Sequence, residues 1–144
     1  MCRLFLLLAC ILTSVCTFAR NAGKERDDAW KLKLYCDEEK INMVLDLYEE
    51  SVEVPGMEMF GPMNGYMNGN IYGVWTVTSC KIVNDKRAVV SFSNDLGSET
   101  QKVTLTQTTD STWTAKLEGT TVVKRVVNKK LVKISPTFNL KLKP

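Results

Sequence analysis

The chain contains no histidine. Imidazole is the side chain that titrates near neutral pH and activates serine and cysteine nucleophiles. Its absence removes Ser-His and Cys-His catalysis and the commonest zinc and iron ligand. Neither GxxxxGK[ST] nor GxGxxG occurs, so there is no Gly-rich phosphate loop. No SxxK occurs either, which leaves a Ser–Lys dyad without its usual spacing. The acidic runs Asp37-Glu38-Glu39 and Glu49-Glu50 are the remaining candidates for chemistry. Paired carboxylates hydrolyse glycosidic bonds, but both runs fall where turns are expected and read as solvated loop charge. Met57, Met59 and Met63 offer thioethers of the kind copper(I) favours. With no cysteine or histidine close by in sequence, they read better as apolar contacts. The sequence therefore points away from an enzyme, and calls for no cofactor or metal.

The segment most suggestive of recognition is residues 57–75. It holds four of the chain's six methionines together with Phe60, Tyr66, Tyr72 and Trp75. Methionines and aromatics on Gly-rich loops make adaptable apolar contacts, and aromatics on β folds stack on sugar rings. Met59, Phe60, Met63, Tyr66, Met67, Tyr72 and Trp75 are the candidate binding residues for a partner protein, a glycan or a small apolar ligand. The competing reading is a loop that folds over one end of a barrel and plugs its core.

The elements that would carry such a loop read as strands. Apolar residues alternate with polar ones at residues 30–34, and at 40–48, where Ile41, Met43, Leu45 and Leu47 share a face. A helix competes over 40–48 by propensity, but the period of two favours a strand. Residues 71–83 set Trp75 and Val77 on one face and Thr76, Thr78 and Cys80 on the other. Further strands are expected at 88–93, 101–108, 113–117, 120–127, 130–134 and 138–142, separated by Asn-Asp, Asp-Ser and Gly-containing turns. Between them, residues 55–70 carry Pro55-Gly56, Gly61-Pro62, Asn64-Gly65 and Asn68-Gly69. These predict a long irregular loop with room for a tight Asn-Gly hairpin. Short strands with regular turn signals predict an all-β fold, a small antiparallel barrel or sandwich of about eight strands. Barrel and sandwich are not distinguished by alternation alone.

The amino terminus sets the compartment. Arg3 precedes the apolar run of residues 4–12, small residues follow at Thr17 and Ala19, and the chain turns polar at Arg20. This is the layout of a cleaved secretory signal over residues 1–19, too short to span a bilayer. It predicts a single exported all-β domain, residues 20–144, in a periplasmic or extracellular setting. Leu7-Leu8-Ala9-Cys10 is similar to a bacterial lipobox, which makes a lipid anchor at Cys10 the alternative form. Cys36 and Cys80 are the two cysteines beyond the signal, and an even pair in an exported domain predicts one disulfide. Two free thiols are the alternative. The formal net charge of +3 is too small to imply nucleic acid. Its distribution is uneven: residues 20–60 hold 6 basic and 11 acidic side chains, residues 61–144 hold 12 and 5. Lys124, Arg125, Lys129, Lys130 and Lys133 could form a basic face toward acidic glycans or lipid.

Two resemblances follow. Gly73-Val74-Trp75 resembles the GxW signature that opens the first barrel strand of lipocalins, which implies a cavity for an apolar ligand. The stretch from Val54 to Tyr66, with Ser93-Asn94-Asp95-Leu96-Gly97-Ser98-Glu99-Thr100, is similar to small exported proteins of gut Bacteroidales bacteria. That likeness implies a periplasmic or cell-surface location. Together these readings favour a non-catalytic exported binding or accessory protein contacting its partner through residues 57–75. A lipocalin-like barrel is the alternative, and a glycan hydrolase a third.

Overall fold

The computed structural model describes residues 28–143; the expected signal segment and the lipobox-like Cys10 lie outside them. The described chain is all-β. Ten strands follow in order: β1 Lys31–Cys36, β2 Ile41–Asp46, β3 Gly65–Gly69, β4 Trp75–Asn84, β5 Arg87–Asn94, β6 Thr100–Thr109, β7 Thr112–Glu118, β8 Lys124–Val127, β9 Lys130–Lys133 and β10 Thr137–Leu142. Eight close into an antiparallel barrel in the order β1-β10-β7-β6-β5-β4-β3-β2, and β8 with β9 makes a separate hairpin. Apart from that hairpin, inserted between β7 and β10, each strand pairs with its sequence neighbour. The end where β1 begins is here called the base, and the end where it finishes the rim.

Alternation places one face of every barrel strand inside. Leu34 and Cys36 of β1, Ile41, Met43 and Leu45 of β2, and Met67 of β3 are buried. They meet Trp75 and Val77 of β4, Val90 and Phe92 of β5, Val103 and Leu105 of β6, Trp113 and Leu117 of β7, and Phe138 and Leu140 of β10. Eight strands leave an interior that such side chains fill. Trp30 closes the base, fully buried, with its indole Nε1–H donating to the Asn84 carbonyl at 2.9 Å. At the rim, Val123 and Ile134 seal the core under the hairpin. The buried Gln101 ties that segment down. Its Nε2 donates to the carbonyls of Lys102 and Glu118, and its Oε1 accepts from the Val122 N–H at 2.9 Å.

Three expectations need correction. Residues 65–69 are a strand of the barrel wall, not part of an irregular loop. Gly65 and Gly69 are there because the β2 backbone passes too close for a side chain. A Cβ on Gly65 would sit 2.4 Å from the Val44 carbonyl oxygen, and one on Gly69 2.3 Å from that of Lys40. The Asn-Gly pairs thus mark close backbone approach rather than turns.

The alternation along β4 also breaks. A bulge between Val77 and Ser79 shifts the register and sets Cys80 opposite the buried Val90.

The expected disulfide is absent, and Cys36 and Cys80 are free thiols. The paired row Leu34, Met43, Met67, Trp75 runs around the wall. Cys36 lies two residues to its rim side and Cys80 five to its base side, so they are roughly 20 Å apart along the strands. A disulfide needs Cα atoms within about 7 Å. Cys36 instead accepts the Glu39 N–H at 3.3 Å, and the Cys80 Sγ–H donates to the Leu47 carbonyl at 3.7 Å.

β4 extends well past β3. Their pairing covers Tyr66↔Thr76 and Met67↔Trp75, leaving residues 77–84 beyond it. Lys81 and a second bulge between Ile82 and Asn84 blunt this edge, as natural sheets do against unwanted strand addition.

Candidate functional site

Asp46 builds one wall of the site. It ends β2, and its carboxylate accepts the N–H groups of Tyr48 at 3.2 Å and Glu49 at 3.1 Å and the Ser51 hydroxyl. Asp and Ser favour such local turns over a continued ladder. Burial opposes its charge, but the Ser51, Glu49 and Tyr48 donors, with Lys31 at 4.0 Å, outweigh it and hold its carboxyl below the usual value. The chain then folds back on itself. Val52 and Met63 exchange two backbone hydrogen bonds, at 2.9 and 2.8 Å. Asn64 closes the loop by donating its side-chain amide to the Asp46 carbonyl at 3.1 Å.

This folded loop stands beside the outer face of β1, β2 and β3. Together they enclose an open groove of about 1110 Å³. Its floor is built from outward positions in register. Lys33 lies opposite Val44, which lies opposite Tyr66. The next row toward the rim pairs Tyr35 with Asn42 and Asn42 with Asn68. Ser51, Val52 and Glu53 of the loop, Asp28 and Lys31 at the base, and Lys143 from the chain end complete the lining. Lys143 is held there twice: its N–H donates to the Lys33 carbonyl at 2.9 Å, and its Nζ to Asn42 Oδ1 at 3.5 Å. A second hollow of about 430 Å³, lined by Tyr35, Asp37, Lys141 and Leu142, shares Lys143 with the groove.

The lining combines an aromatic and several aliphatic residues with two amides, three lysines and a few carboxylates. That is the usual make-up of a binding site, an apolar platform with polar groups that fix orientation. The acidic run of the β1–β2 turn is committed to ion pairs, Asp37 with Lys141 and Glu39 with Arg125. Among the described residues, no three metal-ligating side chains come together. Burial raises both thiols above their ordinary range, away from the reactive thiolate.

The seven residues singled out from the sequence separate into five places. Met59 and Phe60 lie on a single 3-10 turn, Glu58–Phe60, at the tip of the loop, 86% and 67% exposed. Met63 is half-buried at the loop's pairing with Val52. Tyr66 is in the groove floor. Met67 and Trp75 belong to the core, 0% and 2% exposed, and Tyr72 is 61% exposed at the rim. Because β3 crosses the wall between them, the tip and Tyr72 are at opposite ends of the barrel. Sequence reasoning missed Lys33, Asn42, Val44 and Asn68, which alternation marks only as outward-facing.

No protein-family model, curated protein or solved structure matches this chain. The Gly73-Val74-Trp75 triplet opens the fourth barrel strand, not the first. No helix among the described residues is long and apolar enough to cross a membrane.

Proposed function

We propose that the protein is an exported, non-catalytic binding protein that recognises a glycan chain along the groove on β1, β2 and β3. The observation that carries this reading is the register row Lys33, Val44, Tyr66, flanked by Asn42 and Asn68. Tyr66 offers a ring for a sugar face, and the amides and lysines offer donors to hydroxyl and carboxylate oxygens. The groove is open, which suits a chain rather than a small buried molecule. The loop that forms its wall also exposes Met59 and Phe60. An apolar ligand inside the barrel is disfavoured, because Trp30, Met43, Met67, Trp75 and Phe92 occupy that space.

The experiment is a glycan array probed with the protein and with Tyr66→Ala. Retention of a glycan by the protein, lost at least tenfold in the variant, supports the reading. Retention unchanged in Tyr66→Ala refutes it.

A further inference from the structure

The β8–β9 hairpin takes no part in the groove. Its root is firmly held. Val123 and Ile134 are buried, the Ile134 N–H donates to the Val123 carbonyl at 3.1 Å, and the Tyr72 N–H donates to the Lys124 carbonyl at 2.6 Å. The Arg125 guanidinium pairs with Glu39 on the β1–β2 turn. Beyond this root the two strands stand alone, joined by Asn128 and Lys129 at φ +50° and +64°. Both central residues in the left-handed region are what a tight two-residue hairpin requires.

The hairpin's surface is unusual for a free element. Val126 pairs with Leu131 and Arg125 with Val132, so alternation puts Val126 and Leu131 on one face and Val127 and Val132 on the other. All four aliphatics are exposed. Lys124, Lys129, Lys130 and Lys133 are interspersed with them, and the sequence has no acidic residue after Glu118.

We propose that the β8–β9 hairpin docks the barrel, rim first, on a bilayer surface rich in anionic lipid. A flat protein partner would cover one face of the hairpin and leave the other aliphatic pair in water. A headgroup layer surrounds both. Lysine stems lie along apolar surface while their ammonium groups reach phosphates, and each lysine near an anionic bilayer adds about five-fold to partitioning. A second copy of the hairpin is excluded by like charge, since each carries five cations and no acid. Tyr72 and Leu96, exposed at the same rim, suit the interfacial layer. The groove, on the barrel's side wall, stays open in this orientation.

The test is co-sedimentation of the full chain with vesicles of phosphatidylcholine, alone or mixed with phosphatidylglycerol. Two variants are compared, Lys129→Gln/Lys130→Gln/Lys133→Gln and Val126→Ser/Leu131→Ser. Both share residues 1–27 with the parent, so any contribution of that segment cancels. The parent is expected to prefer anionic vesicles and to lose binding as salt rises. The lysine variant should lose about 100-fold, and the aliphatic variant about tenfold or more. Both should keep the parent's thermal midpoint, because the replaced side chains are exposed. Equal partitioning into both vesicle types, or unchanged binding by either variant, overturns the proposal. So does capture by immobilised polyglutamate without vesicle binding, which would assign the hairpin to an acidic protein surface.

Discussion

Replacing Gly65 by alanine tests whether β3 is a wall strand pressed against β2, which is what puts Tyr66 in the groove. Gly65 and Gly56 both have positive φ, +155° and +81°. Their surroundings differ: a Cβ at Gly56 meets nothing within 4 Å, while one at Gly65 falls 2.4 Å from the Val44 oxygen and 3.1 Å from the Leu45 Cα. Gly56→Ala should cost only the backbone strain of an L-residue there, about 1–2 kcal/mol. At Gly65 an additional 1 Å or so must open between two strands to restore an ordinary contact of about 3.4 Å. The pairings Leu45↔Gly65 and Val44↔Tyr66 resist that movement. Forced overpacking adds about 1–3 kcal/mol, giving a total of about 2–5 kcal/mol. At about 4 °C per kcal/mol for a domain of this size, Gly65→Ala should melt about 4–12 °C below Gly56→Ala. Gly69→Ala, whose Cβ would lie 2.3 Å from the Lys40 oxygen, should behave like Gly65→Ala. Thermal unfolding of the three variants side by side is the assay. Midpoints within about 2 °C of one another would falsify the close packing of β3 on β2.

Trp30→Ala removes the base plug and its bond to Asn84, and should destabilise by about 3–5 kcal/mol in urea titration. The carboxyl of Asp46 lies below its ordinary range when folded, so its contribution is present above the unfolded value near 3.9 and lost as pH falls through the folded one. The loop around Ser51 should therefore loosen at acid pH, and Asp46→Asn, at a cost of about 1–3 kcal/mol, should blunt that dependence in a pH series of unfolding curves. Alkylation of the native protein should label the exposed Cys80 and spare the buried Cys36 until unfolding. Peptides containing the two should separate without reductant; a linked pair would contradict the free thiols.

Much of the barrel was legible in the sequence, since a half-buried strand must alternate. Ile41, Met43 and Leu45 all point inward, the turn at Asp110-Ser111 falls where expected, and the one expected at Asn84-Asp85 lies one residue on, at Asp85-Lys86. β3 was not legible. Its Asn-Gly pairs carry the composition of turns, and only the passing β2 backbone reveals why glycine is required. The Cys80 register was lost for a similar reason, because a bulge leaves no mark in residue type. The disulfide expectation rested on compartment and an even count, which say nothing of distance. As for the site, composition grouped Tyr66, which lies in the groove floor, with Met67 and Trp75, which are core residues. Lys33, Asn42 and Asn68 look like any outward strand positions until the register aligns them.

The most direct measurement is photo-cross-linking in the native host. A diazirine side chain is placed at Val44, in the groove floor, and in parallel at Val83, exposed on β4 outside it. Recognition along the groove is expected to give a covalent adduct at Val44 and none at Val83. Adducts at Val83 with none at Val44 would contradict the groove as the recognition surface.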